Sequence, residues 1–255
     1  MSKGIALVTG ASSGIGAELA RLCASAGFDL ILVARNAGAL DKLADSLRGS
    51  HGVAVRTIAA DLADQSTPRS IFQQTGPVDI LINNAGFGLR GAYFQTDWEA
   101  ESRMIQVNVT ALAHLTKLYL PGMIARRSGR ILNVASTAAF VPGPFMAMYY
   151  ATKGFVFSFS QSIADEVEGT GVSVTVLCPG PTRTNFFEAA GITNSSLQKG
   201  PSMSAEAAAK EGFDAMMQGK VEIIAGRRNR WMIWGTRFAP RSMLRKITRR
   251  LNLDV

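Results

Sequence analysis

Ile5-Ala6-Leu7-Val8-Thr9-Gly10-Ala11-Ser12-Ser13-Gly14-Ile15-Gly16 decides how this chain folds. The opening apolar run reads as a strand buried on both faces of a parallel sheet. Three glycines follow, and residues 17–26 then read as a helix. Strand, glycine turn and helix in that order make a phosphate cradle, because a helix N-terminus offers backbone N–H groups to an anion. Gly10 supplies the tight turn, Gly14 lets phosphates approach the backbone, and Gly16 lets the helix pack on the strand.

Outward from this unit the same alternation repeats. Apolar runs at 28–33, 53–58, 78–82, 130–134, 172–177 and 221–224 read as further strands, with helical patterns at 37–47, 97–126 and 204–217. Strands alternating with helices predict an α/β fold: a single doubly wound domain with about seven parallel strands and helices on both faces. A chain of 255 residues, 47% hydrophobic, suits one such domain. We place it at 1–225, with a basic, partly amphipathic extension at 226–255.

Composition excludes several classes. Cys23 and Cys178 have no C-x-x-C spacing, and His51 and His114 are isolated, so neither a disulfide framework nor a metal site is expected. No apolar run approaches the ~20 residues that span a bilayer. The first strand starts by Gly4, which leaves no room for a signal peptide, and a cytoplasmic location is expected. The N-x-S/T triplets at Asn108 and Asn194 then carry no glycosylation meaning. The net charge of +8 is local: residues 226–255 carry nine Arg or Lys against Asp254, while the rest of the chain is neutral.

Tyr149-Tyr150-Ala151-Thr152-Lys153 carries the chemistry. Residues four apart share one helical face, so the Tyr149 phenol and the Lys153 ammonium approach each other. A lysine cation beside a phenol stabilises its phenolate and brings proton transfer toward neutral pH. Tyr150, three residues from Lys153, is not separated from Tyr149 by geometry alone.

Thr9-Gly10-Ala11-Ser12-Ser13-Gly14-Ile15-Gly16, then Asn83-Asn84-Ala85-Gly86, then Ser136, then the Tyr149 to Lys153 motif, resembles the short-chain dehydrogenase/reductases over roughly residues 4–225. The resemblance selects Tyr149 as proton donor and implies catalytic roles for Asn108, Ser136, Tyr149 and Lys153. Ser136, 13 residues before Tyr149, would hold the substrate oxygen. Asn108 would bend its helix and hold a water that links Lys153 to solvent. The cofactor would be bound by Gly10, Ser12, Ser13, Gly14, Ile15 and Gly16, by Asp61 and Leu62 at the adenine, and by Asn83, Ala85 and Gly86 along the cleft. Tyr149, Lys153, Pro179, Gly180, Thr182 and Thr184 would meet its nicotinamide end. At the end of the second strand an acid would favour the ribose hydroxyls of NAD(H). Here stands Arg35, which can clamp a phosphate, so the expected cofactor is NADP(H).

The expected activity is an NADP(H)-dependent oxidoreductase acting on a carbonyl or secondary alcohol. Phe87, Leu89, Tyr93, Phe140, Val141, Phe145, Met146 and Met148 flank the landmarks and favour an apolar substrate. Residues 182–205 read as a substrate lid with Phe186 and Phe187 as an aromatic clasp, or as an ordinary surface loop. Apolar stripes on the 97–126 helix, and Phe155, Phe159, Ile163 and Val167 on the Tyr149 helix, with the family's habit of pairing these helices, predict a homodimer or homotetramer. The alternative is a cofactor-binding sensor or scaffold without turnover, for which loss of Tyr149 or Lys153 would be the mark. The tail fits no nucleic-acid module, and nucleic acid is not expected. In residues 240–255, Met243, Leu244, Ile247 and Leu251 recur at helical spacing with arginines mostly opposite. That pattern suits peripheral contact with an anionic membrane, or a helix packed by its apolar face on the protein.

Overall fold

The computed structural model describes residues 2–184 and 202–253. Seven parallel strands form the sheet: β1 (Ile5–Thr9), β2 (Asp29–Ala34), β3 (Val55–Ala59), β4 (Ile80–Asn83), β5 (Gly129–Val134), β6 (Val172–Cys178) and β7 (Glu222–Ile224). Their order is β3-β2-β1-β4-β5-β6-β7. The chain crosses from β3 over β2 and β1 to lay down β4. That reversal opens a crevice at the carboxyl ends of β1 and β4.

The inner strands are buried on both faces, while the edge strands β3 and β7 are partly exposed. Ala6 and Val8 of β1, with Leu30 and Leu32 of β2, face α1 (Gly14–Ser25) and α2 (Ala37–His51). Leu7, Ile31, Val33 and Leu81 face the opposite layer, which includes α3 (Thr67–Thr75). This short helix has no counterpart in the sequence reading, because only Pro68 and Ile71 of it are buried and so weak a stripe carries little periodicity.

The predicted 97–126 helix is continuous but not uniform. Asp97 caps it, its carboxylate accepting from the Ala100 amide at 3.0 Å. It runs as α4 (Trp98–Ile105), a π-helical stretch Gln106–Ala111 and α5 (Leu112–Ala125). The wide turn contains Asn108, where the resemblance anticipates a bend. α6 (Ala147–Glu166) carries the Tyr149 motif, and α7 (Ala205–Met217) is capped by the Ser204 hydroxyl.

The tail forms α8 (Arg227–Thr236) and α9 (Arg241–Asn252). α9 does not pack by its apolar strip. Its buried residues are Thr248 and Asn252, which donate to the carbonyls of Pro142 (2.6 Å) and Pro144 (2.8 Å). Of the apolar stripes expected at a subunit interface, Tyr119, Met123 and Val167 are consumed by the chain's own core. Phe155 stays 41% exposed, stacked on Phe159. The Phe186–Phe187 clasp and most of the anticipated lid fall outside the described residues.

Candidate active site

The crevice is fastened by side chains of the strand ends. The Thr9 hydroxyl accepts the backbone amides of Asn84 (3.0 Å) and Ala85 (3.1 Å) and donates to the Ile82 carbonyl. Asn84 donates its side-chain amide to the carbonyls of Thr9 and Gly10. This brings two turns so close that a Cβ on Gly10 would lie 2.9 Å from the Ala85 Cα. Gly10 also has φ +65°, in the region other residues rarely adopt.

A cleft of about 760 Å³ runs along these turns. Its wall includes Gly10, Ser12, Ser13, Gly14 and Ile15 at the glycine turn, Arg35 beyond β2, and Asp61 and Leu62 beyond β3. It continues past Ala85 and Gly86 to Ser136, Tyr149 and Lys153, then to Pro179, Gly180, Thr182 and Thr184. Three anticipated residues do not line it. Gly16 serves the helix, where a Cβ would lie 2.3 Å from the Gly10 carbonyl oxygen. Asn108 lies behind Lys153. Asn83, expected at the cofactor, is instead 3% exposed and donates to Asn133 (2.9 Å) and Thr116 (3.2 Å) in the interior. It is the next residue, Asn84, that faces the cleft.

The glycine turn suits an anion. Ser13 at the start of α1 makes no side-chain cap bond, and no acid stands in the first turn. The first amides therefore keep their donors for a ligand. At the far end, Arg35 is joined by a cation that sequence reasoning missed, Arg103 of α4, which pairs with Asp61 at 2.8 Å. Burial works to raise the Asp61 carboxyl. The Ala63 amide, Arg103 and the field of Arg35 outweigh it and hold the group below the usual carboxylate range.

The opposite end holds the proton machinery. Lys153 is 5% exposed, donates to the Val134 carbonyl at 2.8 Å and sits 5.9 Å from the centre of the Tyr149 ring. Burial pushes its ammonium down to about 8. Burial also pushes the Tyr149 phenol well above its ordinary value, opposed by a hydrogen bond with Ser136. At neutral pH the pair is therefore a protonated phenol beside a lysine that is still largely cationic. Asn108 uses both ends of its amide: Oδ1 accepts from the Phe87 amide, and Nδ2 donates to the Phe87 carbonyl and to Thr152. It thereby joins the π-helical turn, the Gly86 turn and the helix carrying Lys153.

Met146, Ala138 and Met104 pack around Tyr149 with Phe87, Leu89 and Met148, so much of the anticipated apolar wall is present. Phe140 turns away to meet Phe157, and Tyr93 is 55% exposed. Tyr150, also on the cleft, donates its hydroxyl to Asn252 of α9 at 3.2 Å, and its ring fills space that a Cβ on Gly143 would occupy. Arg90 donates to the Asn252 carbonyl at 2.8 Å. The tail thus lies outside the cleft lining and braces Tyr150 from behind.

Comparison with known proteins follows this geometry. The family model described as short chain dehydrogenase matches residues 4–195. A Bos taurus protein named dehydrogenase/reductase SDR family member 7B is 37% identical over 191 residues, covering 71% of this chain and 59% of the relative. The chain therefore spans less than two thirds of that relative. A short-chain dehydrogenase from Sphingobium yanoikuyae in complex with NADPH superimposes with TM-score 0.82 at 34% identity, covering 92% of this chain and 93% of that one. A bulky-bulky ketone specific alcohol dehydrogenase from Comamonas testosteroni gives TM-score 0.79 at 29% identity, with 93% of each chain covered. A Burkholderia phymatum short chain dehydrogenase/reductase in complex with NAD gives 0.82 at 25% identity, covering 91% of this chain and 92% of that one.

The two asparagines of the turn separate experimentally. Asn84→Ala will weaken nicotinamide-cofactor binding in a fluorescence titration, because it frees the turn that lines the cleft. Asn83→Ala strands buried partners and will cost about 1–3 kcal/mol of stability in denaturant unfolding, while the folded fraction binds the nicotinamide cofactor as before.

Proposed function

The chain belongs to the short-chain dehydrogenase family, and from that premise we propose that it is an NADP(H)-dependent oxidoreductase that interconverts a bulky apolar ketone and its secondary alcohol. The observation that carries this reading is the meeting of Ser136, Tyr149 and Lys153 at one end of a cleft whose other end is a glycine turn and Arg35. The uncapped start of α1 and the close-approach glycines suit a dinucleotide pyrophosphate. Arg35, with Arg103 nearby, suits a 2′-phosphate. When bound, the nicotinamide supplies the hydride chemistry.

The chain supplies position and proton. In reduction, the Ser136 hydroxyl holds the substrate oxygen, and the Tyr149 hydroxyl gives that oxygen its proton. Burial keeps the phenol protonated until it is needed. The Lys153 cation then stabilises the phenolate, and its Nζ would also hold the ribose of the cofactor when it is bound. Asn108 anchors the water through which Lys153 exchanges protons, and its bonds to Phe87 and Thr152 hold the surrounding turns still. Met146, Phe87 and Tyr150 line the cleft beside these groups, supporting an apolar substrate. We also propose a homodimer or homotetramer, with the exposed Phe155 at its interface. A sensor or scaffold without turnover has no observation in its favour, since Tyr149 and Lys153 both stand in the cleft.

Three measurements test the reading. Wild-type protein will bind NADPH more tightly than NADH, and Arg35→Asp will reverse or abolish that preference; equal wild-type affinities would refute the assignment. Against a panel of ketones followed by NADPH absorbance, Tyr149→Phe will lose nearly all turnover yet bind NADPH. Tyr150→Phe will keep substantial turnover with an altered KM. Lastly, a lysine lowered to about 8 is charged below that pH and neutral above it. The reductive kcat will therefore fall as pH rises through about 8, and a flat profile to pH ~10, the range of a free lysine, would remove Lys153 from the step.

A further inference from the structure

α8 presents an aromatic face that the domain does not use. Only Ile233 of this helix is buried. Trp231 is 70% exposed, Trp234 53% and Phe238 72%. These three rings touch in sequence, with centroids 5.9 and 4.9 Å apart. They form one cluster rather than scattered side chains. Next along the chain, α9 docks by Thr248 and Asn252, so its apolar strip of Met243, Ile247 and Leu251 points outward, between 38% and 54% exposed.

The charge around these groups has one sign. Residues 226–253 contain nine Arg or Lys and no acid. Among the described residues only Arg230 of these cations has an ion pair, with Glu211. We propose that the α8 aromatic cluster and the α9 apolar strip are a docking surface for an anionic lipid bilayer. The proposal concerns where the protein works and stands whether or not the reaction above is right.

Three physical features select this occupant. Tryptophan rings sit well at the headgroup level, and a basic amphipathic helix lies in that plane with its apolar strip below it. A second copy of the chain meeting this face about a two-fold axis would set the same cations against each other, with Glu211 the only carboxylate ion-paired to any of them among the described residues. Single-stranded nucleic acid stacks on open aromatic platforms. Here the tryptophans meet edge to face, and the aliphatic Met243, Ile247 and Leu251 offer nothing to stack on. Because Asn252 of α9 holds Tyr150 in the cleft wall, docking would also bring the substrate side of the cleft near the lipid, where apolar ketones concentrate.

The test uses the full chain with Trp98→Phe, leaving Trp231 and Trp234 as the only tryptophans. Mixed with phosphatidylglycerol vesicles at low salt, it will co-sediment and its tryptophan emission will shift to the blue. Binding will weaken at high salt and be poor on phosphatidylcholine alone. W231S/W234S/F238S will lower vesicle affinity at least roughly tenfold while keeping the parent's circular-dichroism spectrum and cooperative melting, which shows that the fold is intact. Failure to bind phosphatidylglycerol vesicles at low salt overturns the proposal. So does equal binding to neutral vesicles, and so does binding of single-stranded RNA without binding of vesicles. If the triple variant instead converts an oligomer to monomer and the parent ignores vesicles, the face is a subunit interface and the proposal is wrong.

Discussion

The Thr9 hydroxyl sits where the sheet reverses, accepting two amides from the turn after β4 and donating to the carbonyl before it. This tie fixes the two turns that line the middle of the cleft against each other. β1 ends in the glycine turn and β4 ends in the turn that leads to Gly86. Their separation sets how deep a ligand can lie. Asn84 reinforces the same junction from the other side, and the absence of a Cβ at Gly10 allows the approach. Gly86 in turn passes within contact of Asn108 and Lys153, so the position of the ammonium is inherited from the first turn of the protein.

That inheritance explains why so much was legible. Short apolar runs between glycines mark strands buried on both faces, and in a parallel sheet all seven point their carboxyl ends the same way. Residues that follow a strand must then gather along one edge, as Arg35, Asp61, Ala85, Ser136 and Pro179 do. The failures are local or long-range, not architectural. Asn83 and Asn84 are adjacent, and the last strand residue turns into the core while the next turns to the cleft. Composition cannot separate two identical neighbours whose fates are set by strand alternation. Arg103 reaches Asp61 only through the packing of α4 across the cleft end, which no spacing reports. The helical period of α9 was readable, but its docking edge was not, because the buried members are a threonine and an asparagine rather than the leucine and isoleucine beside them.

Electrostatics at the proton end is dominated by burial. A lysine ammonium in the interior would ordinarily be a liability, and here, among the described residues, a single carbonyl at 2.8 Å is its hydrogen-bond partner. The chain tolerates this because the surrounding structure is over-determined. Asn108 fixes Thr152 and Phe87, and Thr152 in turn donates to the Tyr149 carbonyl at 2.7 Å. Three segments distant in sequence, those of Phe87, Asn108 and Val134, therefore hold one helix turn in place. Cys178, nearby and fully buried, is kept a neutral thiol, since burial pushes it up to about 12. It adds no negative charge that would compete with the phenolate for the lysine.

The bond from Tyr150 to Asn252 bridges 102 positions of sequence, and this has a kinetic meaning. Contacts of such separation close large loops, and they form after the local strand and helix pairs that precede them. The glycine-turn half of the cleft is assembled from β1, β2 and β4, whose backbones are bonded along the sheet. Tyr150, on the other half, is held by the last helix through a side-chain hydrogen bond. The two halves of the cleft therefore differ in how readily they open, and the wall can fray through sub-global unfolding while the dinucleotide half persists. Selection on the tail can thus retune which molecules are admitted without disturbing the unit that holds the cofactor.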